Sequence, residues 1–354
     1  MSSRLGWAAA AAVLLVYPFV VGDDWVRAGV MAGIAAIAAI GLNVLTGVAR
    51  QFSVGHAGFI AIGAYITAYF MTEQGWSFLF AAPVGTLAAA LCGLALAPLA
   101  TRLRHMALAL VTLGLVFLVQ HVIRNVSALN GGGGTRIVPD ISLFGTDLGL
   151  PSVYGPFEVD RLQQYYFFVL AVAVAVGVFT TLMLRSRTGR AMGAIGEPSS
   201  ELLAAHSGVS VRGATRQAFI FSSALAGLTG ALTAPFVQVL ALADFGLGLS
   251  IEYLAIIVIG GLGLVSGAVY GAIFVMLLPQ LVEAVAPALP FIAERGETSG
   301  VSTTNFTVLI YGVLVIALLL FEPRGIAGIV QTLRDRFPKE VMPRWISRSQ
   351  TSSG

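Results

Sequence analysis

The chain has 354 residues, 57% of them hydrophobic and only 10% charged, with a formal net charge of +3. A water-soluble protein carries charge on about a quarter of its residues, so this composition excludes a soluble globular domain. The small basic excess is confined to a few loops, which points to membrane orientation and not to nucleic acid.

The apolar residues come in runs close to the ~20 that a helix needs to cross about 30 Å of hydrocarbon. The ten-residue alternating segments of a membrane β-barrel are absent. The expectation is an all-α polytopic membrane protein with a transmembrane domain over 1–330 and a polar tail over 331–354. Cys92 is the only cysteine and lies inside an apolar run, so no internal disulfide forms.

In chain order, Arg4 and the run "GWAAAAAVLLVYPFVV" resemble a signal peptide but lack a small-x-small cleavage pattern, and read as an uncleaved first helix. Spans are then expected near 7–22, 28–48, 52–71, 78–100, 106–123, 165–184 and 217–240. A long block over 245–282 and a last run at 305–321 follow.

Loop charges settle how the block divides, because Arg and Lys stay on the cytoplasmic side. Arg4, Arg50, Arg102 and Arg104, the arginines of the 185–216 loop and the basic tail belong inside; Asp23, Asp24, Glu73, Asp244, Glu252 and the acids at 294–297 belong outside. Only Arg27 and the mixed external loop 124–164 break the pattern. One span over 245–282 would put the basic tail outside, so the block is split at "GGLGLVSG" (260–267). That gives about ten spans, N- and C-termini in the cytoplasm, and the parity of a 5+5 inverted repeat.

Small residues recur at helix-packing spacing. Ser222, Ala226, Gly230 and Ala234 form one row, with Ser223, Gly227 and Ala231 beside it; Ala57, Ala61, Ala64 and Ala68 form another, and Gly263, Gly267 and Gly271 a third. These read as close helix contacts in lipid.

The densest polar set inside the apolar runs is "GLNVLTGVARQFSVGHAGF" (41–59). Asn43, Gln51, Ser53 and His56 are candidates for the inner mouth of a solute path; they also suit hydrogen bonds that hold the hairpin to itself. No carboxylate falls mid-span, Glu252 and Glu283 standing at span edges, which speaks against an ion-coupled secondary carrier, the alternative transport reading. No HExxH, GxSxG or metal-ligand cluster is present. "NGGGGTRIVP" (130–139) lacks the lysine of a phosphate loop and reads as a mobile external loop. The chain therefore carries no ATPase site of its own, no cofactor and no metal.

The segment "GEPSSELLAAHSGVSVRGATRQ" (196–217) stays polar between two apolar runs. Ser199 or Ser200 caps a short helix, Glu201 suits its first turn, Leu202 and Leu203 project from it and Gly208 ends it. Two isolated helical turns do not hold in water, so this helix packs on its own membrane domain or docks in the groove of another protein.

Six stretches together resemble the permease subunit of branched-chain amino acid ABC importers, the Liv permeases, and within them the M-type branch. They are "GLNVLTGVARQFSVGHAGFIAIGAY" (41–65), "LRHMALALVTLG" (103–114), "RSRTGRAMGAI" (185–195), "FSSALAGLTGAL" (221–232), "LSIEYLAIIVIGGLGLVSGAVYGA" (249–272) and "LIYGVLVIALLLFEPRGIAGI" (309–329).

The resemblance implies a subunit of the cytoplasmic (plasma) membrane that works with a second permease, two ATP-binding subunits and an external solute-binding protein, with ATP bound by the partners. It implies a coupling helix over Glu197, Ser199, Ser200, Glu201, Leu202, Leu203, Ala204, Ala205 and Gly208 that seats in a partner ATPase. The solute class it implies is branched-chain amino acids or a relative such as urea or an amide. Two departures stand out: Arg50 where glycine is common in the family, and Gly196-Glu197-Pro198 where an Arg-Asp pair is usual.

Overall fold

The computed structural model describes residues 12–103, 105–132, 135–143, 146–147, 152–154, 157–195 and 210–285, with short pieces at 309–310, 312–313 and 325–328. The expected coupling helix over 197–208, most of the last expected span and the tail 331–354 lie outside the described residues.

Eleven helices between residues 12 and 285 make up most of the described bundle. The first is α1 (12–20), followed by α2 (Asp23–Asn43), which continues as a π-helical turn over Val44–Val48. Then come α3 (His56–Thr72), α4 (Phe78–Ala100), α5 (His105–Asn125) and the single turn α6 (Ser127–Asn130). The second part holds α7 (Arg161–Arg185), α8 (Arg187–Ala194), α9 (Val211–Val237), α10 (Leu247–Gly260) and α11 (Val265–Val285). Six of these segments are long and apolar enough to cross a membrane, and the shorter apolar α10 accompanies them. The expected split of the 245–282 block is realised by the turn at 261–264 between α10 and α11.

The helices divide into a protein-covered centre and a lipid-covered rim. In the apolar stretch of α2 83% of residues are buried, against 11% in α7. Both are apolar on every side, so sequence pattern does not separate them; lipid covers what protein does not, and Val174, Val178, Phe179 and Leu182 of α7 are left exposed. The small-residue rows mark the centre. A Cβ on Gly63 of α3 would strike the backbone of Gly227 in α9, and one on Gly230 would strike the backbone at Ile60 and Ala64. Along the same row of α9, a Cβ on Gly93 of α4 would strike Ser223. Backbone-to-backbone approach of this kind is what holds helices together where lipid removes the hydrophobic drive.

The loop at 124–164 builds a cap over one end of the bundle. β1 (Thr135–Ile137) lies in the stretch expected as a mobile loop. It is followed by two short antiparallel pairs, β2 (Ser142–Leu143) with β3 (Thr146–Asp147) and β4 (Ser152–Tyr154) with β5 (Phe157–Val159). β1 itself pairs antiparallel with β6 (Val239–Ala241), which follows α9, in register Arg136 opposite Leu240.

Two polar knots fasten the cap. Arg136, whose side chain is 3% exposed, donates to the carbonyls of Ala128 and Leu129, to Thr72 and to Glu73, the last at 2.9 Å. Arg161 donates to Asp140 at 2.7 Å, and the other oxygen of Asp140 accepts from Gln238. Of the arginines that break the charge rule, Arg136 and Arg161 are thus paired on the spot, and Arg27 lies over the ring of Phe236.

Candidate functional site

The opposite end of the bundle is where helices break. α2 should continue past Asn43, but Val44, Thr46 and Val48 are β-branched and Gly47 has no side chain, both poor helix formers. The turn widens instead: the amide of Ala49 bonds to the carbonyl of Val44 at 3.0 Å, and that of Gln51 reaches Leu45. π-turns of this kind are rare and cluster at functional sites. Arg50 then sits at φ 50°, in the left-handed region that favours glycine, and residues 51–55 run without regular structure to the start of α3.

The sequence places the third span at 52–71, whereas α3 starts at His56 and is 17 residues long. At 1.5 Å per residue that is about 25 Å, short of the ~30 Å of hydrocarbon. α3 alone is therefore too short to cross it. Val54 meets Thr112, about two turns inside α5. Irregular backbone at such depth must find its partners within the protein, and three hydroxyls supply them. The amide of Val54 donates to Thr112 Oγ1 at 3.0 Å, that of Gly55 to Ser53 Oγ at 3.4 Å, and that of Ala57 to Ser250 Oγ at 3.0 Å.

A second break faces the first. Gly261 and Gly263 have φ of 119° and 82° and turn the chain from α10 into α11. Asn43 bridges the two interruptions. Its Nδ2 donates to Leu264 O at 2.7 Å and Gly261 O at 3.3 Å, while its Oδ1 accepts from the amide of Gly263 at 2.7 Å. Gly47 lies so close to Gly263 that a Cβ would collide with its backbone.

His56 is 1% exposed, its Nε2 3.1 Å from Ala38 O and its ring edge-on to Tyr253 at 5.6 Å. A carbonyl only accepts, so Nε2 carries the proton. Gln51 is half-buried and its side chain makes only a long bond to Ala49 O, 3.4 Å. Of the four path candidates, Asn43, Ser53 and His56 are thus buried and bonded, Gln51 lies nearer the surface, and Arg50 and Phe52 form the exposed lip beside it.

Sequence reading missed Thr112, Ser250 and Tyr253 as members of this cluster. All three lie in stretches singled out for other reasons, and a hydroxyl in an otherwise apolar helix was the available signal. It also missed α8. Met192 and Ile195, at the end of that helix, are buried against a small cluster that includes Ala97 of α4 and Ala214 and Phe219 of α9. Higher in the bundle, the hydroxyls of Thr67, Thr86, Tyr165 and Ser222 are buried with no hydrogen-bond partner. Among the described residues no group of three His, Cys, Asp or Glu is placed to hold a metal.

A family model described as the permease component of branched-chain amino acid transport systems matches residues 26–319. Two curated relatives are similar to the chain, each a high-affinity branched-chain amino acid transport system permease protein LivM. That of Escherichia coli is 31% identical over 233 residues, 62% of this chain and 54% of the relative. That of Salmonella typhimurium is 30% identical over 235 residues, 63% of this chain and 55% of the relative. The chain spans about half the length of these relatives. No solved structure matches it.

Proposed function

Because the chain belongs to the family of permease components of branched-chain amino acid transport systems, we propose that it is the membrane-spanning subunit of an ABC importer for branched-chain amino acids or a related small polar solute such as urea or an amide. The observation that carries this reading is the family match from residue 26 to 319, a range that includes both helix interruptions. In this reading the bundle has ten spans arranged as 5+5. The capped end faces outward toward a solute-binding protein, and the broken end and both termini face the cytoplasm. A second permease completes the membrane unit, two ATP-binding subunits supply the energy, and this chain performs no ATP hydrolysis itself.

The described geometry supports a route for force. The coupling segment, with Leu202 and Leu203 as its contacts, follows directly on α8. α8 is anchored through Met192 and Ile195 onto the ends of α4 and α9, so a push on the segment reaches both of those helices. On the solute path, Asn43, Gln51, Ser53 and His56 border the inner mouth. Their present partners are backbone groups, and opening exchanges those bonds for water or solute.

The test is uptake by proteoliposomes containing this chain with its partner permease, both ATP-binding subunits and the solute-binding protein. Radiolabelled leucine, isoleucine and valine should accumulate with ATP inside, unaffected by a protonophore. Uptake that persists without ATP and collapses with the protonophore would establish a secondary carrier instead.

A further inference from the structure

We propose that the cavity between the ends of α4 and α9 at the broken end of the bundle is a binding site for the phosphate headgroup of an anionic phospholipid. The cavity has a volume of about 610 Å³ and is lined by Leu94, Pro98 and Arg102 from α4 and its end, and by Ser210, Arg212 and Arg216 at the start of α9. The inference does not rest on the transport reading; it requires only that α4 and α9 span the membrane.

Three observations carry it. First, three arginines line one cavity, and no carboxylate among the described residues pairs with any of them. The two ion pairs among the described residues both belong to the cap, and the described segments around the cavity contain no Asp or Glu. Arg212 and Arg216 are four apart on one helix, where like charges repel. Such an arrangement favours a bound anion.

Second, the chemistry favours phosphate. A guanidinium fork matches two phosphate oxygens at once, and basic pockets between spans at the membrane surface hold lipid headgroups. Third, the cavity opens onto an apolar stripe. Leu87, Leu91 and Leu94 recur along one face of α4 and are 59%, 55% and 37% exposed. Leu94 belongs to both stripe and cavity, so an acyl chain laid along the stripe delivers its headgroup to the arginines. A soluble acidic partner would have no use for that stripe, and a free anion none either.

The test is native mass spectrometry of the purified chain with phosphatidylglycerol, phosphatidylcholine or inorganic phosphate, comparing wild type with Arg212→Gln/Arg216→Gln and with Arg212→Lys/Arg216→Lys. One phosphatidylglycerol should remain on the wild type at collision energies that strip phosphatidylcholine. Its retention should fall at least tenfold in the Gln variant and two- to threefold in the Lys variant. Equal retention of the two lipids by the wild type would overturn the proposal. So would retention unchanged in a monodisperse Gln variant, or competition by millimolar phosphate, which would mark a free-anion site. If the Gln variant loses a partner ATPase while its lipid retention is unchanged, the arginines serve a protein contact and the proposal falls. Should that variant fail to insert, the wild-type comparison of the two headgroups decides alone.

Discussion

The two ends of this molecule treat arginine in opposite ways. At the capped end Arg136 and Arg161 are drawn inward and saturated by carboxylates, carbonyls and aromatic faces. At the broken end Arg50, Arg102, Arg212 and Arg216 are exposed, and no carboxylate among the described residues pairs with them. A paired arginine is a structural fastener whose charge is spent within the chain; an unpaired one remains available to membrane, water or partner. The positive-inside rule concerns the second kind, which explains why the paired arginines of the 124–164 loop blurred the charge pattern without overturning it.

The comparison is most easily broken at Arg136. Its removal orphans the carbonyls of Ala128 and Leu129, so Arg136→Ala should cost on the order of 3 kcal/mol, read as a lower melting temperature in detergent. Arg216→Ala at the other end should leave the melting temperature unchanged. Equal losses in the two variants would remove the distinction between fasteners and free charges.

Asn43 tests whether the broken end has fasteners that carry no charge. Asn43→Ala leaves the amide of Gly263 and the carbonyl of Leu264 without their partner and should cost about 1–3 kcal/mol. Hydrogen exchange should quicken selectively at 261–264; a uniform change over the bundle would argue against a local latch. A smaller effect of opposite sign is expected at Arg50, which holds a conformation that glycine adopts freely. Arg50→Gly should therefore raise stability by up to about 1 kcal/mol, and a lower melting temperature would contradict the strain at φ 50°. Least of all, Asp140→Asn should cost about 0.5 kcal/mol, because the pair with Arg161 is 22–24% exposed and screened by solvent. The wild-type advantage over this variant should shrink as salt rises.

What could be read from sequence follows the range of the interactions involved. The division of the 245–282 block was legible because loop charge is counted locally, and the small-residue rows of α3 and α9 because packing in lipid imposes a period on one helix at a time. The cap was not legible: strands of two and three residues carry no periodicity, and Arg136 finds Glu73 63 positions away in the chain. The shortening of α3 was hidden for a related reason. "QFSVG" is apolar enough to extend a span, and only the hydroxyls of Thr112 and Ser250, supplied by distant helices, let it run irregular at depth. For the candidate path, the polar cluster was visible in "GLNVLTGVARQFSVGHAGF", but the partner of Asn43 lay 218 residues away.

That one carboxamide has a mechanical consequence. It rivets two discontinuities into a common joint, so α2 cannot swing without dragging the corner between α10 and α11 along. Any rigid-body displacement of one of those three rods must carry the other two with it.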